Sequence, residues 1–309
     1  MKTVLLFFGL LGIANVAAQT SPALSSKMDV PVLPKPPAGG LEYLHEVEVG
    51  TGGGRPLHAE IVLPKIRPAQ PMPAVIWIHG GGLKGGSYKG NVAGFLAPYG
   101  YVAVSIEYRF ITEAPWPAQM EDCKLAVRFL RANAAKYHID PNRIGVWGHS
   151  SGAQLASLLG TAETNPDFEG TGGYPGVSSK VNAVVEVAGP NDAPRYPVSA
   201  REAIFGKEKA GDLELLKKAS PLYGAKAGNP PFLIIHGSAD KSVPLEVSIA
   251  FKEALEKAGV SVRMVVVQRG DHGLNAPPGG APAEPDKDGV HALILDFFEK
   301  NLKAQPARS

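Results

Sequence analysis

The stretch Arg143 to Leu159, RIGVWGHSSGAQLASLL, limits the possible folds more than any other. The apolar run Ile144 to Trp147 ends in Gly148-His149-Ser150-Ser151-Gly152, and small, helix-compatible residues follow, so it reads as strand, sharp turn, helix. A glycine at each end of the pentapeptide lets the backbone turn steeply and lets the helix approach the sheet, which pushes the middle serine into a strained, exposed position. Ser150 is then the candidate nucleophile. A Gly/Ser turn that joins a strand to a helix and does no chemistry fits the same five residues, so the neighbouring segments have to decide.

Those segments alternate between strand and helix. Leu41–Val49 and Leu57–Leu63 read as an antiparallel pair around Thr51-Gly52-Gly53-Gly54. Ala74–Ile78 is a continuous apolar run, as expected of a strand buried on both faces. Then come strands at Val102–Ile106, Ile144–Trp147, Ala183–Val187, Phe232–Ile235 and Val262–Val267, with helices at Gln119–Ala135, after Ser150, at Leu245–Ala258 and at Val290–Leu302. This pattern predicts an α/β fold with a mostly parallel central sheet flanked by helices. A chain of 309 residues, 44% hydrophobic, is large enough for one such domain, placed at residues 41–305.

Before that domain, Lys2 precedes the apolar run Val4–Ile13, and Val16 and Ala18 suit the small-residue positions of a cleavage site. Residues 1–18 therefore read as a secretory signal, since roughly ten apolar residues fall short of the ~20 that span a bilayer. The expectation is a secreted or periplasmic protein without a stable membrane anchor. Residues 19–40, with Pro22, Pro31, Pro34, Pro36 and Pro37, read as an extended linker. A net charge of +2 without a cluster of basic and aromatic residues argues against a nucleic-acid partner. Cys123 is the only cysteine, so an intrachain disulfide and a thiolate zinc cage are excluded.

Three further motifs lie at strand ends. His79-Gly80-Gly81-Gly82 follows Ile78, and three glycines leave no β-carbons to keep backbone N–H groups from one oxygen atom, which is what an oxyanion hole needs. The candidate donors are the amides of Gly81, Gly82 and Ser151, with the choice between the two glycines open, and His79 reads as a structural residue holding the loop. Phe232–Ile235 leads into His236-Gly237-Ser238-Ala239-Asp240, and Val262–Val267 leads into Arg269-Gly270-Asp271-His272-Gly273. Asp240 and His272 are the candidate acid and base. Asp271 competes with Asp240, although side chains of adjacent residues usually diverge.

H-G-G-G, G-H-S-S-G, H-G-S-A-D-K-S-V-P and G-D-H-G, with Glu107-Tyr108-Arg109 after a strand and Pro117-Ala118-Gln119 opening a helix, resemble an α/β-hydrolase esterase. The chain order serine, aspartate, histidine is that fold's order. The group it looks most like is the bifunctional acetyl xylan and feruloyl esterase-like family, related to hormone-sensitive-lipase-like esterases, over about Pro73 to Leu302. The segment Asp167–Val181 resembles that family's loop after the nucleophile helix. Related sequences often place an aromatic after H-G-G-G, where this chain has Leu83-Lys84-Gly85-Gly86.

The resemblance implies hydrolysis of acetyl, feruloyl or short-chain esters by a Ser150-His272-Asp240 triad through an acyl-enzyme, with no cofactor and no metal, on a small or polysaccharide-linked ester. A serine peptidase or amidase of the same fold is the alternative, and a binding module that reuses the fold is a third, although the chain keeps the whole residue set. Tyr88, Tyr108, Phe110 and Trp116 fit either an apolar pocket or plain packing. Asn191–Gly228, with one short helix at Leu213–Lys218, is too short for a large lid domain and predicts an open cleft. Ala276–Asp288 reads equally as a cleft lip or a surface loop.

Overall fold

The computed structural model describes residues 29–163 and 165–303. The signal read from residues 1–18, and residues 19–28 of the linker, lie outside the described residues.

Eight strands form one sheet in the order β1-β2-β4-β3-β5-β6-β7-β8. β1 (Leu41–Gly52) and β2 (Arg55–Pro64) make an antiparallel hairpin. Its turn is Gly53-Gly54, with φ of 59° and 85°, the doubly left-handed geometry that two glycines adopt without steric cost. β2 lies antiparallel to β4 (Val102–Ile106). The remaining neighbours, β3 (Met72–Ile78), β5 (Ile139–His149), β6 (Ala183–Val187), β7 (Phe232–Gly237) and β8 (Val262–Val267), are all paired in parallel. Every residue of β3, β4, β6 and β7 is buried, as a sheet covered on both faces demands.

Alternate strand residues serve two cores. Ala74, Ile76 and Ile78 belong to one, with α1 (Ala118–Ala132), α2 (Ala134–Tyr137), α3 (Ser151–Thr161) and α6 (Leu245–Lys257). Val75 and Trp77 belong to the other, with the 3-10 segment Val92–Tyr99 and α7 (Lys287–Phe298). Cys123 is a buried core residue.

Four details depart from the sequence reading. The helix expected over Gln119–Ala135 stops at Ala132, where Asn133 Nδ2 turns back to donate to Phe129 O (2.9 Å), and α2 follows as a single turn. α7 starts three residues early, because Asp286 caps it by accepting from Gly289 N at 2.9 Å. Residues 29–40 do not hang free as a linker. Val30 and Leu33 pack against the α7-side core, Tyr99 Oη donates to Pro34 O (2.6 Å), and Arg263 donates to Asp29 O (3.1 Å). Between β6 and β7 there are two helices rather than one, α4 (Val198–Phe205) and α5 (Leu213–Lys218). Among the described residues no helix is long and apolar enough to cross a membrane.

Candidate active site

Ser150 sits between β5 and α3 with φ 55° and ψ −126°, the strained turn that its flanking glycines predict. Its N–H donates to Val187 O at 2.9 Å, which ties the turn to β6. A β-carbon on Gly148 would run into the Gly152 carbonyl, and one on Gly152 into the carbonyls of Ile78 and His79. Both glycines are therefore there because α3 is pressed against the ends of β3 and β5, and that approach leaves the Ser150 side chain facing the cavity beside it.

The ends of β7 and β8 bring two partners to Ser150. His272 Nε2 lies 2.9 Å from Ser150 Oγ, and His272 Nδ1 lies 2.7 Å from Asp240 Oδ2. Asp240 is fully buried at its side chain, and its other oxygen accepts from Ser242 N (2.7 Å) and Val243 N (3.0 Å). Burial alone would raise its pKa, but the hydrogen bonds from His272, Val243 and Ser242 outweigh burial and hold the carboxyl below its ordinary range. An ionised carboxylate only accepts, so Nδ1 carries the proton and Nε2 is left to accept from the Ser150 hydroxyl. Asp271 is engaged elsewhere. Its Oδ1 accepts from Gly273 N (2.9 Å) and Asn275 N (2.8 Å), shaping the turn that carries His272.

Two histidines that the sequence reading did not single out, the half-buried His149 and the fully buried His236, support this row. His149 Nε2 donates to His272 O at 2.7 Å, and burial lowers its pKa, which keeps it a neutral donor. His236 Nε2 donates to Val243 O (3.0 Å) and lies 3.2 Å from Asp240 Oδ2, while its Nδ1 accepts from Ser248 Oγ (2.8 Å). Burial lowers the pKa of His236 as well. Both residues lie within the G-H-S-S-G and H-G-S-A-D motifs, beside the turns whose partners they fix.

His79 Nδ1 donates to Gly80 O (2.8 Å), and its ring stacks on Tyr108 (4.3 Å), whose hydroxyl donates to His79 O (3.0 Å). Gly86, at φ 110°, passes so close to the His79 ring that no β-carbon fits. Of the two candidate glycines, Gly82 lines the cavity, whereas Gly81 is turned against the Gly85 carbonyl and does not. Ser151 opens α3, so its N–H has no acceptor within the helix, and its Oγ accepts from Leu83 N at 3.3 Å.

The cavity measures about 340 Å³. Leu83, Tyr196, Ala200 and Ile204 form its apolar wall beside Ser150 and His272, so α4 supplies one side of the cleft. None of the four aromatics considered from the sequence lines it. Trp116 packs on Phe168 (5.5 Å) and Phe205 (6.2 Å) beneath α4, Phe110 packs edge-on against His79 (5.9 Å), and Tyr88 Oη donates to Glu46 (2.8 Å). No residue of 276–288 lines it either; that loop is held at Gln268 and Glu284 and by Arg269 Nε donating to Pro282 O at 2.7 Å. Among the described residues no group of three or more His, Cys, Asp or Glu could hold a metal ion.

Residues 59–255 match the BD-FAE family. The chain belongs to the BD-FAE family. Beyond this BD-FAE match, the chain is 30% identical to Esterase LipC of Mycobacterium tuberculosis over 268 residues, covering 82% of this chain and 64% of LipC. It spans between 53% and 64% of the first three mycobacterial esterases that it matches. A solved truncated carbohydrate esterase from gut microbiota superposes with a TM-score of 0.72 at 29% identity, covering 86% of this chain and 99% of that one. An acetyl ester-xyloside bifunctional hydrolase from Caldicellulosiruptor lactoaceticus superposes with a TM-score of 0.64 at 26% identity, covering 80% and 86%. The fold of this BD-FAE member is the α/β-hydrolase fold.

Proposed function

We propose that the chain is a serine carboxylic ester hydrolase acting on small or carbohydrate-linked esters through an acyl-enzyme. The observation that carries this reading is the unbroken row Asp240–His272–Ser150, with spacings of 2.7 and 2.9 Å, on a strained turn that opens into a cavity. The names of its relatives, an esterase, a carbohydrate esterase and an acetyl ester-xyloside hydrolase, point to the same chemistry.

In this mechanism His272 Nε2 takes the Ser150 proton as Oγ attacks the ester carbonyl, and Asp240 holds the imidazole in that tautomer and stabilises its charged form. The developing oxyanion is met by the amides of Ser151 and Gly82, with Gly81 the second candidate glycine. His272 then returns the proton to the departing alcohol, and water repeats the cycle on the acyl group. The apolar wall from α4 suits acetyl, short-chain or aromatic acyl groups. The apolar run at Val4–Ile13 and the small residues Val16 and Ala18 support export of the chain.

The test is a rate comparison of protein from Gln19 onward on p-nitrophenyl acetate, p-nitrophenyl octanoate, methyl ferulate and acetylated xylan. Fast release from acetate, ferulate or xylan, lost in Ser150→Ala, supports the carbohydrate-type esterase. Preference for octanoate moves the reading to a general carboxylesterase. Turnover of aminoacyl anilides without turnover of any ester overturns it in favour of an amidase.

A further inference from the structure

We infer that Lys84 selects esters that carry a second, ionised carboxyl group, a substrate class that rests on the ester-hydrolase reading of the same cavity. Besides His272, whose charge is answered by the buried Asp240, Lys84 is the one cationic residue among those that line the cavity, and no acidic residue lines it. The rest of the lining is apolar or neutral.

The backbone fixes where this cation stands. Lys84 N donates to Gly81 O at 3.1 Å, and the preceding Leu83, 1% exposed, is anchored by its N–H to Ser151 Oγ (3.3 Å) and by its carbonyl to Ile111 N (2.9 Å). Lys84 is therefore carried by the same turn that brings Gly82 to Ser150. Its side chain is exposed and, among the described residues, makes no ion pair or hydrogen bond, whereas Lys89 in the same loop is neutralised by Glu46 at 2.7 Å. Lys241, the neighbour of the cavity residue Ser242, is also exposed and, among the described residues, unpaired, whereas Asp271, beside His272, spends one carboxylate oxygen on the N–H groups of Gly273 and Asn275. An unpaired ammonium beside an apolar wall attracts an anionic substrate and repels a cationic one. Suitable molecules are acylated glycans that bear uronic-acid carboxylates, or half-esters of dicarboxylic acids.

The experiment compares kcat/KM for three probes: p-nitrophenyl acetate (neutral), mono-p-nitrophenyl succinate (carboxylate on the acyl side) and 4-acetoxybenzoate (carboxylate on the alcohol side). A ratio of anionic to neutral turnover is taken within each of wild type, Lys84→Met, Lys84→Arg and Lys84→Glu. A contact between partly exposed charges is expected to favour one of the two anionic probes by roughly fivefold at low salt, with the advantage shrinking as ionic strength rises. It should vanish in Lys84→Met, persist in Lys84→Arg and reverse in Lys84→Glu. Ratios that do not change across the four proteins overturn the inference. Calorimetric binding of the same probes to Ser150→Ala, with and without Lys84→Met, reads the selectivity without turnover. Loss of serine-dependent hydrolysis of the neutral ester would count against the esterase reading alone.

Discussion

The floor of the site and its wall are built on different principles. At the floor, the ends of β3, β5, β7 and β8 fix Gly82, Ser150, Asp240 and His272 through backbone contacts so close that Gly148 and Gly152 have no room for a β-carbon. The wall, residues 191–228, has no strand. It is stitched on by single contacts such as Gln154 Nε2 donating to Ala219 O (2.8 Å), Trp116 N donating to Ile204 O (3.3 Å), and the buried Glu186, which accepts from Asn191 Nδ2 (3.2 Å) as well as from Gly189 N. The difference teaches where chemistry and selectivity are stored. Sterics fix the reacting groups, and with them Leu83 and Lys84 on the Gly82 turn, while Tyr196, Ala200 and Ile204 meet the substrate from a segment that no strand pairing holds.

If the floor carries the chemistry, Ser150→Ala should lower kcat by something on the order of 10⁶, as loss of a triad nucleophile does elsewhere. Activity within tenfold of wild type would break the comparison at once. Asp240→Asn should cost about 10⁴ in kcat with little change in KM, since Nδ1 then loses the acceptor that sets the tautomer; a loss confined to KM would demote Asp240 to a binding role.

Two glycines set the steric contrast. Gly152→Ala should destabilise the fold by about 1–3 kcal/mol and depress activity, because its β-carbon meets backbone that cannot yield. Gly211→Ala, in the wall, has nothing within 4 Å of its β-carbon and should stay within about 0.5 kcal/mol. Denaturant titration of both variants checks the pair, and equal losses would erase the distinction.

Glu186 sharpens the joint between the two regions. Burial pushes its carboxyl up to about 8, against hydrogen bonds from Gly189 and Asn191 that pull it down. The folded protein thus keeps Glu186 protonated while the unfolded chain ionises it, so its contribution is full below pH 4.5 and is lost as pH rises towards 8. Glu186→Gln should therefore raise Tm relative to wild type by several °C at pH 9 and hardly at pH 4.5. A difference that does not vary with pH would contradict this. The smallest effect belongs to the wall itself: Ile204→Ala should raise KM roughly two- to fivefold through lost apolar contact, with a smaller change in kcat.

How much could be read from sequence follows the same division. Val102–Ile106 and Ala183–Val187 were located to the residue, because strands buried on both faces leave apolar runs between turn residues, and the half-exposed edge strand Val262–Val267 was located by its β-branched residues. Gly148, Gly152 and the strand-end motifs were legible because close backbone approach admits glycine alone. α4 was not, since only Phe205 of its eight residues is fully buried and its apolar period is weak. Pro197 before it and Gly206 after it, at φ 85°, were the boundary signals that could have marked it. Trp116 and Tyr108 were ambiguous for a related reason. A residue type reports that an aromatic is buried, not whether a helix or a substrate covers it.

The central claim is that Ser150 itself becomes acylated, and labelling with a fluorophosphonate followed by peptide mapping tests it most directly. The account predicts one adduct per chain, on Ser150, formed slowly or not at all in Asp240→Asn. An adduct on Ser151 or elsewhere, or no adduct in a folded protein that still hydrolyses esters, would contradict it.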